Sequence, residues 1–281
     1  MTSVIVKHKN GKVFDLDKLG YHVKTFEPWG IDWTQSTTAI NRYLQIQTSS
    51  KIQPKSMTLE LNTMASDMTG LQLRFLDLTK IFNGEYSFWI YFADIPYIRW
   101  EVTVNNAPTF TAIGNAGFGS ASIPLYCPKG VAETTHSTAE ITPTGALATQ
   151  YSVGLFGLGT HFEHGGKRVP YYSGTNAYQI PIFNPGSIAL RAKGLHGKII
   201  IKGNGNLCNH VRITNTTNGT SFMYKKSFSK LVLDGYHCEA DGKLDFTNTD
   251  HGYIDIERLW NDFKIDCDGP FTVIFDLNFY Y

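Results

Sequence analysis

Apolar and polar positions alternate in short runs from the start of the chain. Val4-Ile-Val-Lys-His-Lys9 and Lys12-Val-Phe-Asp-Leu16 flank Asn10-Gly11. This spacing predicts a hairpin with a type I′ turn, in which both central residues take positive φ. Val4 and Val6 share one face and Ile5 takes the other, so the strand is expected to be covered on both sides. A second strand is expected over Tyr21-His-Val-Lys-Thr-Phe26, and Met57, Leu59 and Leu61 alternate with Thr58 and Glu60 within 51–62. The period then changes. Leu71, Phe75, Leu78 and Phe82 draw one stripe down a helix, with Leu76 widening it. Ser66 or Asp67 is the expected cap, and Gly84 is the expected left-handed stop. Tyr86-Ser-Phe-Trp-Ile-Tyr-Phe92 is apolar on both faces and predicts a central strand. Residues 97–104 and 118–127 follow as further strands.

The second half carries strand patterns only. Lys198-Ile-Ile-Ile-Lys202, Val211-Arg-Ile-Thr214, Ser221-Phe-Met-Tyr224 and Lys230-Leu-Val-Leu-Asp234 are separated by Asn218-Gly219, Asp234-Gly235 and similar turn pairs. Phe271, Val273, Phe275, Leu277 and Phe279 then share one face of a closing strand. Short strands at this spacing, with no helical stripe between them, predict a β-sandwich. The expected fold is therefore mainly β: a β-rich first domain with one helix over 1–130, a Thr-, Ala-, Gly- and Pro-containing linker over 131–148, and a sandwich over 149–281.

One stretch resists this pattern. Within 27–50, Trp29, Trp33 and Tyr43 lie among Thr, Ser, Gln and Asn residues, and the apolar positions follow neither helical nor strand spacing. Aromatic residues are enriched at interfaces, which suits an arm that contacts a neighbour. A long loop folded on its own domain fits the same pattern. If the stretch is an arm, Trp29, Trp33 and Tyr43 are its interface candidates.

Composition narrows the classes. Lys and Arg number 25 against 24 Asp and Glu, for a net charge of +1, which argues against binding nucleic acid by bulk charge. Charged residues make up 17% and aromatic residues 14% of the chain, the reverse of the balance that disorder requires. The best apolar run, 88–93, is stopped by Asp94 and Pro96, far short of a membrane span. The first residues lack the layout of a secretion signal, so the chain is expected to fold in cytoplasm. Cys127, Cys208, Cys238 and Cys267 are widely spaced and are expected to be free buried thiols.

Reactive constellations are weak. His161-Phe-Glu-His164 sits among glycines, and Cys208-Asn-His210 and His237-Cys238 lack zinc-site spacing. Gly114-Asn-Ala-Gly117-Phe-Gly119 precedes a strand, so no helix N-terminus follows to hold a phosphate. Asp255 and Glu257 are expected to point the same way from a strand edge, as solvated carboxylates and not a glycosidase pair. Asn215-Thr-Thr217 is expected to be turn chemistry. No catalytic residue, metal or cofactor is expected.

The order of these segments resembles the siphophage distal tail proteins. The likeness is carried by the opening hairpin, the polar arm, the single helix, Asp94-Ile-Pro96-Tyr97 after a hydrophobic strand, and Ser122-Ile-Pro-Leu-Tyr-Cys-Pro128. In the second half it is carried by Asn184-Pro185-Gly186, Leu233-Asp234-Gly235, Ala240-Asp241-Gly242 and the closing Tyr280-Tyr281. Asn261-Asp-Phe-Lys-Ile-Asp266 departs from the family's usual Gly-x-x-x-Ile close. The resemblance implies a homo-hexameric ring in the virion, at the distal tip of a long non-contractile tail, built by the first domains with a galectin-like second domain projecting outward. It implies partners in the tail tube protein, the tape-measure protein, the tail-associated lysin or tip protein and the receptor-binding or fibre proteins. It also implies a central channel for DNA without specific nucleic-acid recognition, no membrane insertion and no enzymatic activity. A rival reading is an adhesion module for cell-wall saccharide, for which Trp260, Arg258 and Asn261 are the candidates, with Trp260 alternatively packed in the sandwich core.

Overall fold

A computed structural model describes residues 3–41, 44–114, 117–141, 171–205 and 207–281. The chain divides into two compact units, Met1–Glu133 and Thr134–Tyr281. The first contains β1 (Val4–His8), β2 (Val13–Asp15), β3 (Tyr21–Phe26), β4 (Trp33–Asn41), β5 (Leu44–Ile52), β6 (Lys55–Met64), α1 (Met68–Ile81), β7 (Phe88–Phe92), β8 (Ile98–Val104), β9 (Thr109–Ile113) and β10 (Phe118–Cys127), with β11 (Glu133–Thr134) at its end. The main sheet runs β2-β1-β7-β8-β10-β6-β3, with β9 on β10 and β11 on β8. As expected, β7 is central.

Alternation builds the core of this unit. Val6, Ile90 and Trp100 form one cross-strand row, and Ile123, Leu59 and Phe26 form another. All six are buried. The sheet curls, because Phe26 of the terminal strand β3 meets Phe92 of β7 and Trp100 of β8 at centroid distances of 5.4 and 6.3 Å. Helix α1 lays Leu71, Leu78 and Ile81 inward. Asp67 caps it by accepting the Gly70 N–H at 2.7 Å.

Three local expectations are corrected. Asn10-Gly11 does not form a type I′ turn: Gly11 has positive φ, 88°, but Asn10 does not. The Asn10 side chain accepts the Lys12 N–H instead, and His8 and Lys12 close a three-residue loop. Leu76 does not widen the buried stripe but is exposed, while Phe75 stacks on Phe110 at 4.8 Å. The helix ends at Phe82 with φ −98°, so Gly84 is not a left-handed cap.

The second unit contains α2 (Thr138–Ile141), β12 (Ser173–Thr175), β13 (Gln179–Asn184), β14 (Lys198–Gly203), β15 (Val211–Asn215), β16 (Ser221–Tyr224), β17 (Lys230–Asp234), β18 (His237–Ala240), β19 (Lys243–Leu244), β20 (Leu259–Cys267) and β21 (Phe271–Asp276). Two antiparallel sheets result, β12-β21-β14-β17-β18-β19 and β13-β20-β15-β16. Leu233, Ile199 and Phe275 face inward from the first, and Ile265, Ile213 and Phe222 from the second. Phe263 and Phe275 join the two faces with ring centroids 4.8 Å apart. The mainly β fold is borne out. Of the stretch expected as a linker, Val131 and Ala132 are buried, and Thr134 and Thr138 donate their backbone N–H groups to Phe279 and Leu277 at 2.9 Å.

Candidate assembly surfaces

The arm stretch is a β-hairpin. Trp33 pairs with Ile52, Gln35 with Ser50 and Thr38 with Ile46, with irregularities at Ser36/Thr37 and Ala39/Asn41. Thr-rich sequence suits extended backbone, since β-branched side chains crowd a helix more than a strand. Both faces are exposed and mostly polar, which is why no hydrophobic alternation marked the strands. β4 and β5 pair with each other and, among the described residues, join no other sheet. Trp33, Ile40 and Ile46 are exposed. A lone two-stranded ribbon is marginal in water, and its outer edges carry unpaired backbone groups.

The base of the hairpin is held firmly. The Lys55 ammonium donates to the carbonyls of Pro28 and Gly30 at 3.1 and 3.2 Å, and also to that of Trp29. Gly130, at φ 69°, packs so tightly against the Gln53 carbonyl that a Cβ would overlap it. The Gln53 N–H donates to Asp32 O at 2.8 Å. Trp29 stacks on Phe92 and meets Trp100 edge-on, each at 5.4 Å. Thus Trp29 belongs to the base and Trp33 to the projecting part, and Tyr43 lies outside the described residues.

A charged network stiffens one face of the same sheet. Glu133 is nearly fully buried and accepts from Arg99 Nε at 3.1 Å, Trp89 Nε1 at 3.2 Å and Lys129 Nζ at 2.6 Å. Lys129 also reaches Glu101 at 3.0 Å, and Glu101 pairs with Lys9 at 2.5 Å. The Arg99 guanidinium covers the Trp89 ring at 4.3 Å. Burial pushes the Glu101 carboxyl upward, but hydrogen bonds and charge from Lys9 and Lys129 outweigh it and hold its pKa at about 2. Burial pulls Lys129 down, and Glu133 and Glu101 together lift it to about 12. No sequence pattern signalled this network, because its members come from four separate segments.

The first unit has open sheet edges of different character. β3 carries Lys24 and a register shift between Val23 and Thr25, features that discourage pairing. β9, Thr-Phe-Thr-Ala-Ile, is uncharged and largely exposed. Its partner is β10 on one side.

In the second unit the three saccharide candidates do not form a site. Asn261 is fully buried. It accepts from the Glu257 N–H and from Asn215 Nδ2, and donates to the Glu257 and Leu259 carbonyls. These bonds leave it no group to offer a ligand. Trp260 packs edge-on against Phe183 at 5.0 Å, and Arg258 is exposed. Asp255 and Glu257 are both paired with Arg191, at 3.2 and 2.6 Å. Among the described residues no group of three or more His, Cys, Asp or Glu is placed to hold a metal ion. His161 and His164 lie outside the described residues.

Residues 32–127, which include the hairpin, match the family described as phage tail protein RIFT-related domain. No curated protein matches the chain. Among solved structures, SPP1 Dit (gp 19.1), described as a paradigm of hub adsorption apparatus in Gram-positive infecting phages, aligns with 98% of this chain and 99% of its own, at a TM-score of 0.64 and 11% identity. The phage P2 baseplate in its activated conformation with Ca aligns with 99% of this chain and 98% of its own, at a TM-score of 0.48 and 10% identity. The resemblance drawn from the order of motifs is therefore borne out: the chain carries a match to the phage tail protein RIFT-related domain over residues 32–127 and has the fold of SPP1 Dit.

Proposed function

We propose that this protein is a structural component of a phage tail tip: a ring-forming hub, six copies to the ring, that joins the tail tube to the tip and receptor-binding proteins and leaves a central passage for DNA. The observation that carries this proposal is the β4–β5 hairpin, exposed on both faces and, among the described residues, unpaired with any other sheet. A closed ring needs a heterologous contact, in which one patch of a subunit meets a different patch of the next. The hairpin supplies one patch. The uncharged edge β9 is the best second patch in the first unit, because backbone pairing there meets no charge and no register shift. The likeness to SPP1 Dit supports the tail-tip placement, and the low charge content suits a permanent assembly. Assembly takes place in host cytoplasm before incorporation into the virion, and the protein has no catalytic role.

The test compares the parent protein with Trp33→Ala by light-scattering mass and negative-stain imaging. The expected result is rings from the parent and a shift toward single subunits for Trp33→Ala, with unchanged secondary structure. Rings of equal abundance from both proteins would contradict the arm's role.

A further inference from the structure

Exposed apolar side chains gather at one place on the second unit. Tyr236, Phe246 and Tyr253 are all exposed there, around the turn between β17 and β18 and the 245–253 loop. Tyr236, Phe246 and His251 rim a cleft of about 140 Å³ whose floor includes Phe222 and Cys238. The Tyr253 ring, outside the lining itself, meets the Tyr236 ring edge-on at 5.7 Å and 61° and supports it at the rim.

The rim is rigid. Asp250 Oδ1 accepts the N–H groups of Met223 and Gly252 at 2.9 and 3.0 Å, and the Asp250 N–H donates to Met223 O at 3.0 Å. Thr249 Oγ1 donates to Phe246 O at 2.8 Å and accepts the His251 N–H at 3.2 Å. These bonds hold His251 at φ 57°, a conformation uncommon outside glycine and concentrated at functional positions. Among the described residues, neither tyrosine hydroxyl nor the His251 imidazole has a hydrogen-bond partner.

From this we infer that the Tyr236–His251 cleft is a binding site for one neutral sugar ring. No charged side chain lines the cleft, so it gives no counter-charge to an ionic ligand. Its walls are aromatic faces, whose negative quadrupole attracts the weakly positive C–H face of a pyranose. The unpaired Tyr236 phenol and His251 imidazole supply donors and acceptors for hydroxyl groups. The cleft is too small for a drug-sized ligand and suits a single terminal residue of a glycan. The site is distinct from Trp260, Arg258 and Asn261, and it is independent of ring formation.

The full-length protein is titrated with methyl glucoside, methyl galactoside and methyl N-acetylglucosaminide, followed by calorimetry and ligand-observed NMR. Saturable binding by at least one glycoside is expected, with a dissociation constant on the order of 1 mM. Tyr236→Ala and His251→Ala should each weaken it roughly tenfold. Tyr178→Ala, which alters an exposed ring set edge-on to Phe271 elsewhere in the unit, should leave it unchanged. Should Tyr236→Ala fail to fold, Tyr236→Phe keeps the wall and removes the hydroxyl, and weaker binding is still expected. No saturable binding of any of the three, or binding that is equal in the folded Tyr236 and His251 variants, overturns the inference.

Discussion

The indole of Trp29 lies on the ring of Phe92 with centroids 5.4 Å apart and planes 13° apart. Four residues later, Trp33 begins a hairpin that joins no other sheet among the described residues. The two indoles are exposed to a similar degree, 54% and 47%, but among the described residues only Trp29 has aromatic partners. Two tryptophans that look equivalent in the sequence thus have different work. One fixes the root of the arm to the sheet, and the other stands on the arm itself.

Their substitution separates these roles. Trp29→Ala should lower the stability of the first unit by about 1 kcal/mol through the lost ring contacts. Trp33→Ala should change it by less than about 0.5 kcal/mol, as expected of a surface site. Urea titration of the two variants, followed by circular dichroism, measures the difference. Equal losses would mean that Trp33 packs on its own unit in solution.

Glu133 is the most deeply buried carboxylate described in the first unit, with its side chain 6% exposed and Arg99 at 15%. Glu133→Ala leaves two cations without their shared partner, and breaking such a buried pair costs about 3 kcal/mol. Chemical denaturation should show that loss. A loss below about 1 kcal/mol would mean that water reaches and solvates Arg99 and Lys129.

Glu101 gives the fold an acid dependence. Its pKa falls from 4.5 to about 2 in the folded state. Its contribution is therefore complete above about pH 4.5 and is lost as pH falls through about 2. Stability measured across this window should fall less steeply in Glu101→Gln than in the parent. Identical slopes would place the acid sensitivity elsewhere.

Asn261→Ala removes four hydrogen bonds and leaves the Glu257 N–H and Asn215 Nδ2 each short of an acceptor. A loss of about 2 kcal/mol is expected in the second unit. Trp260, the sole tryptophan of that unit, adjoins the site and reports the transition by fluorescence. Unchanged stability would show that the side chain is not the staple of the 257–261 turn.

Alternation made β6, β10 and β21 legible, because each buries one face against a core. The stripe of α1 was legible for the same reason, although Leu76 shows that an apolar residue beside a stripe need not find cover. The arm was only half legible. Thr34, Ser36 and Thr38 alternate with Gln35 and Thr37 along a ribbon with no buried face, so the usual strand signal is missing. Asn261 read as a surface polar residue because its partners, Asn215 and the 257–259 backbone, converge on it only in the folded unit. The Glu133 network was hidden likewise, since Lys9, Arg99, Glu101 and Lys129 meet only once the sheet has formed.

Ring closure is tested most directly by the mass of the purified full-length protein, measured by light scattering over a range of concentrations. A ring-forming protein gives a discrete species of six times the 31.5 kDa chain mass, growing at the expense of single subunits as concentration rises. A single-chain mass at every concentration would contradict ring closure.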